Sequence, residues 1–242
     1  ENAKNVLKSA KQELSEATTS YDTNIEAMQT QLSELTKITE RKNAYDSAAL
    51  NAATAQNALK MAESTESMAK TNLDTCEGNV KVLADAESMT VQQYVEAYPA
   101  QENVEAYTAA KTAYSEARAA TQAAQTASTQ ADSAKSSAKA AYAGTVNSYN
   151  ASYNDSISID PAEYGEAGIN AKQTALTAAK TAQEKEKNDL TNNYNGLQTQ
   201  IQLTDTFFAN KGTEKDGKFF YANGEEVAEG KVSQDGKDYY LL

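Results

Sequence analysis

The sequence predicts a mainly α protein: an elongated antiparallel coiled-coil bundle of three or four helices over residues 1–210, then a small C-terminal β-meander over 213–242. Three observations carry this. The first glycine is Gly78 and the first proline is Pro99, so the opening stretch lacks both strong helix breakers. Apolar residues then recur in threes and fours along most of the chain. The last thirty residues instead hold Asp216-Gly217, Asn223-Gly224 and Asp235-Gly236, strong signals for tight hairpin turns.

The first helix is expected over about 2–88. Leu7, Leu14, Tyr21, Met28 and Leu35 repeat by sevens, joined by Ala10, Ala17, Ile25 and Leu32, the pattern of a coiled-coil seam. From Tyr45 a second run passes through Ala48, Ala52, Ala55, Leu59, Ala62, Glu66, Ala69, Leu73, Cys76, Val80 and Leu83. Between the runs the polar stretch 39–43 breaks the register. Either the helix continues there through a stammer, or the chain turns back near 38–45 and a fourth helix results.

Residues 84–100 read as a connector, in which Thr90 and Gln93 form a capping box and Pro99 closes a short helical turn. The second long helix is expected over 101–146. Its face carries Tyr107, Ala110, Tyr114, Ala117, Thr121, Ala124, Ala131, Ala134, Ala138 and Ala141, small residues that suit a close antiparallel neighbour. Gly144 and the Asn/Ser-rich stretch 147–160 are expected to end it. A third long helix over 161–209 starts from Asp160 as cap, Pro161 and Glu163, carries Ile169, Leu176, Leu190 and Leu197, and closes on Tyr194, Ile201 and Phe208.

Composition narrows the functions available. The net charge of −12 repels nucleic-acid phosphates and anionic lipid heads, so neither is an expected partner, and with no stretch of about 18 apolar residues no membrane insertion is expected. There is no histidine, and Cys76 is the sole cysteine, which removes imidazole catalysis, Cys/His zinc sites and an intrachain disulfide. Cys76 reads as a small apolar seam residue. The carboxylates lie singly among Lys, Asn and Gln and read as solvated surface, and no phosphate-cradling loop or activated nucleophile is present. The chain is therefore expected to be non-catalytic, with no cofactor and no metal.

The C-terminal residues Asp216-Gly217-Lys218-Phe219-Phe220-Tyr221, Asn223-Gly224-Glu225, Gly230-Lys231-Val232 and Asp235-Gly236-Lys237-Asp238-Tyr239-Tyr240-Leu241 resemble the repeat of Gram-positive cell-wall-binding modules of the choline-binding type. The resemblance covers about 214–242. It implies stacked hairpins whose aromatics cage a quaternary amine by cation–π attraction. Lys231 and Asp238 stand where that repeat carries Trp, and Phe219 replaces another. Phe219, Phe220, Tyr221, Tyr239 and Tyr240 therefore read first as packing residues.

The functional expectation is a surface-displayed, extracellular bacterial binding or spacer module, adhesin-like, whose helical bundle is joined to cell-wall-associated repeats. The alternative is a self-assembling filament or fibre subunit of flagellar or phage-tail type, pairing with other copies through an exposed seam at 1–35. The partner is expected to be a protein or a cell-wall glycan. Candidate contact residues are the connector tyrosines Tyr94, Tyr98, Tyr149, Tyr153 and Tyr164, and Phe219, Tyr221, Tyr239 and Tyr240 of the hairpins, because rigid amphipathic rings bind at low entropic cost.

Overall fold

In a computed structural model of the protein, four helices precede four short strands. Residues 2–155, 157 and 166–242 are described. The elements are α1 (Asn2–Ala86), α2 (Val91–Ala97), α3 (Glu102–Tyr153), α4 (Glu166–Ala209), β1 (Thr213–Lys215), β2 (Lys218–Phe220), a 3-10 turn (Ala228–Gly230), β3 (Lys231–Gln234) and β4 (Lys237–Tyr240). The expected start of the third long helix at Asp160, Pro161 and Glu163 lies outside the described residues. The chain divides into two compact units, residues 36–164 and residues 1–35 with 165–242.

α1 is one continuous helix through 38–45, which decides between the two readings left open there. Leu35 and Ile38 are buried, and Lys42 and Tyr45 are half-buried, so the seam stripe passes through the polar stretch at spacings of three and four. Lys42 holds its place by laying its stem along the stripe while its ammonium meets Asp46 at 2.6 Å, as long basic side chains do at an apolar margin.

In the unit of residues 36–164, α1 runs antiparallel to α3. Gln56 donates to the Asp132 carboxylate at 3.2 Å, and Val80 packs with Val104. Every position of the predicted run from Tyr45 to Leu83 is buried or half-buried. On α3 the stripe agrees up to Ala124 and again at Ala131 and Ala138, with Ser128 between, but Lys135 and Tyr142 take the places expected for Ala134 and Ala141, which are exposed. Alanines on adjacent faces give no contrast between them, so Ala134 and Ala141 cannot be told by pattern from their seam neighbours Lys135 and Tyr142.

α3 also continues past Gly144 to Tyr153, not to 146 as expected. Tyr142, Val146 and Tyr149 are all buried, and their packing outweighs the weak helix propensity of the Asn and Ser between them. Asn154 ends the helix in the left-handed conformation, φ 49°, a backbone region that Asn tolerates better than most residues. At the other end α1 stops at Ala86, and Thr90 caps α2 with the expected box. The Gln93 amide donates to Thr90 Oγ1 at 3.2 Å and the Thr90 amide to Gln93 Oε1 at 2.9 Å.

In the second unit, the first 35 residues pack on α4. Lys187 pairs with Asp22, Tyr21 lies against Glu186, and Leu14 and Ala17 face Leu190, Tyr194 and Leu197. The seam at 1–35, expected to be open to other copies, is thus half-buried within the chain. α4 ends at Ala209 as predicted, and the chain enters two antiparallel hairpins, β1–β2 and β3–β4. They form two separate pairs instead of the expected meander. The stretch 225–233 is not one strand but a single bridge between Phe220 and Glu226, the 3-10 turn, and β3.

Asp216-Gly217 and Asp235-Gly236 each have positive φ at both residues, the twist a two-residue hairpin demands. Asn223-Gly224 differs. Only Gly224 is left-handed, φ 84°, and its amide donates to the Tyr221 carbonyl at 2.8 Å, closing a wider turn with Gly in its last position.

Candidate functional site

The aromatic residues singled out from the sequence fall into three clusters. In the unit of residues 36–164, Tyr94 is buried with Val80, Ala84 and Val104, and its hydroxyl donates to Gln101 Oε1 at 2.7 Å. Gln101 precedes α3 without capping it through its side chain, so the amide serves the tyrosine instead. Tyr98 lies 4.7 Å from the Tyr94 ring, tilted by 44°, and is half-buried at the cluster's edge. A hollow of about 460 Å³ beside it is lined by Val95, Pro99, Val104 and Thr108.

The second cluster is at the other end of the α1–α3 pair. Tyr149 is buried and stacks at 4.8 Å on the half-buried Tyr153. Asn150 grips the chain after the helix with both amide atoms, donating to the Ile157 carbonyl at 2.7 Å and accepting from the Ile157 amide at 2.9 Å. Ile157 is thereby held buried. Tyr142 is buried below them, and burial raises its hydroxyl pKa, with Asp46 adding to the effect and Lys42 opposing it. Tyr164 lies outside the described residues.

The third cluster joins the hairpins to α4. Phe207, Val227 and Leu241 form a buried core with Phe219 and Val232 packed against it. Phe207 meets Phe219 and Tyr221 edge-on, each at 5.8 Å between ring centres, and Phe208 at 5.4 Å. Gly212 lies flat on the Phe207 ring, where a Cβ would sit 2.5 Å from it. Backbone bonds complete the joint: the Leu242 amide donates to Thr204 Oγ1 at 3.0 Å and the Leu241 amide to the Gly230 carbonyl at 2.8 Å.

The hairpins present Tyr221, at the exposed edge of this joint, and Tyr240, exposed outside it, while Tyr239 is half-buried opposite Val232. Phe208 and Leu242 are also exposed. Tyr240 pairs across the strands with Lys231, whose ammonium lies 5.3 Å from the ring centre and 2.7 Å from Glu229. The hydrogen bond and charge of Lys231 hold the Glu229 carboxyl below its usual range. Glu229 first, then Tyr240, raise Lys231. A lysine standing where the resembled repeat has Trp thus supplies an ammonium to its neighbour's ring from within the chain. That pair escaped the sequence reading, although the Asp235-Gly236 turn implies its register.

Compared with known proteins, the chain matches no family model and no curated sequence. Among the described residues no group of three His, Cys, Asp or Glu is placed to hold a metal ion, and no helix is long and apolar enough to cross a membrane. Cys76 is half-buried at its seam position, 3.9 Å from Asn72 Oδ1. What the exposed aromatics can do is bind, through flat apolar faces with phenol hydroxyls at their edges.

Proposed function

We propose that the protein is a non-catalytic, surface-displayed bacterial module, adhesin-like, in which helical units carry and space a binding surface on the C-terminal hairpins. The partner is a protein or a cell-wall glycan, and the setting is extracellular. The observation that supports this most is the joint around Phe207. It fixes both hairpins to the end of α4, so Tyr221 and Tyr240 are held in place before any partner arrives, which lowers the entropic cost of binding.

The helices support the same reading by what they lack. Many of their apolar residues lie on the intrachain seams, and many of their polar ones are tied down locally. Thr19, Thr23 and Thr30 on α1, for example, donate to the carbonyl four residues earlier. Such surfaces suit a scaffold.

The test is co-sedimentation of the purified protein with insoluble Gram-positive cell walls, beside capture on beads carrying extracellular-matrix proteins. The reading predicts saturable retention on at least one of these supports. No retention on either, at protein concentrations up to about 100 µM where contacts near −5 to −6 kcal/mol would still register, would remove it.

A further inference from the structure

α1 carries a second stripe, on the side turned away from α3. Met61, Met68 and Val82 recur on a seven-residue period with Thr54 and Thr75, and Leu50 opens the adjoining row. The large ones are far outside the intrachain seam: Leu50, Met61, Met68 and Val82 are between 64% and 73% exposed. The remaining positions of the two rows hold Asn, Ser, Thr or Gly, and no charged residue stands on either row between Leu50 and Val82. Thr54, Thr71 and Thr75 donate their hydroxyls to the carbonyls of Leu50, Ser67 and Thr71. Their methyls therefore face outward. Alternation of threes and fours with apolar knobs and small holes is the signature of a coiled-coil seam.

From this we infer that the stripe pairs with the same stripe of a second copy, antiparallel, about a two-fold axis near residue 66. The pattern is its own complement in that arrangement, as an isologous contact requires. Leu50 of one copy meets Val82 of the other. Met61 meets Thr71, and Met68 meets Ser64, so each large side chain falls opposite a small one. Charge agrees: Lys60 and Asp74 flank the stripe on one side, and the two-fold brings Lys60 of each copy to Asp74 of the other. Lys60 has no ion pair among the described residues. An uncharged strip also suits close approach of two copies that each carry −12.

The size sets the strength. A strip of about 33 residues is roughly 50 Å long and about 10 Å wide, near 500 Å² per copy against the roughly 800 Å² of a standard stable interface. The dimer is therefore weak, dissociating in the micromolar range, and is separate from partner binding by the hairpins.

Sedimentation equilibrium between about 5 and 500 µM tests it. The average mass is expected to climb from 26.0 kDa toward twice that. Met61→Lys with Met68→Lys, on exposed positions that leave the circular dichroism unchanged, keeps the protein monomeric. Lys60→Asp weakens association about tenfold, and adding Asp74→Lys restores it. In a Cys76→Ser background, Ser67→Cys crosslinks to itself under oxidation. A monomer at every concentration, or a dimer that persists in the double-lysine variant, overturns the proposal.

Discussion

Gly212 shows how one residue can decide the joint between helix and hairpins. Its Cα is flat against the Phe207 ring, and any Cβ would sit 2.5 Å from ring carbons. Gly212→Ala is expected to cost about 1–3 kcal/mol, the range of small-to-large changes in a packed core, read as a lower melting temperature with the Phe207 cluster loosened. A substitution without effect would mean the ring moves freely. The Glu229–Lys231 pair makes a prediction in pH. The folded state lowers the Glu229 carboxyl, so its contribution to stability is present above the ordinary glutamate range and lost as pH falls through the folded value. Lys231 is raised, so its contribution is complete below the ordinary lysine range and lost as pH rises through its folded value. Carbon-13 titration of the two side chains checks both directions. Lys231→Met should return the Glu229 carboxyl to the ordinary range, and an unchanged midpoint would dismiss the pair. Neither feature could be read from the sequence, since the ring packed on Gly212 is set by the fold and Lys231 reads there only as a departure from the resembled repeat.

At the scale of elements, legibility followed contrast. The seam from Tyr45 to Leu83 was readable to the residue because Tyr45, Leu59, Leu73, Val80 and Leu83 anchor its spacing of threes and fours across the alanines between them. The α3 stripe slipped at Ala134 and Ala141 because alanine stands on several faces at once. The end of α3 was misread for a related reason: Asn and Ser argue locally for a stop, while Val146 and Tyr149 argue from the core for continuation, and only packing shows which prevails. Turns were legible as positions but not as types, since Asn223-Gly224 uses one left-handed residue where the Asp-Gly turns use two. The Thr90 box was readable because capping is a local device. Thr90→Ala is expected to cost about 1 kcal/mol, seen in thermal denaturation. Thr90→Ser should restore most of it, and equal losses for both would rule out the cap as the cause.

Over the whole molecule, the proposed function divides the labour between helices that carry and hairpins that bind. The helices turn their seam residues inward in pairs, while the α1 stripe of Leu50, Met61, Met68 and Val82 stays outside. Among the described residues five i, i+4 Lys–acid pairs lie along the helices, such as Lys81–Asp85 and Lys185–Asp189, mostly solvent-exposed pairs that add little. The aromatic clusters that sequence reading grouped together have separate lots, because burial depends on neighbours far along the chain. Tyr94 and Tyr149 are inside, while Tyr221 and Tyr240 are outside. The decisive measurement is retention on Gram-positive cell walls and matrix proteins, comparing the natural protein with Tyr221→Ala combined with Tyr240→Ala, and with Met61→Lys combined with Met68→Lys. The tyrosine variant is expected to lose at least tenfold in affinity, about 1.4 kcal/mol, while the methionine variant binds like the natural protein at dilutions where both are monomeric. Undiminished binding by the tyrosine variant would contradict the proposed function.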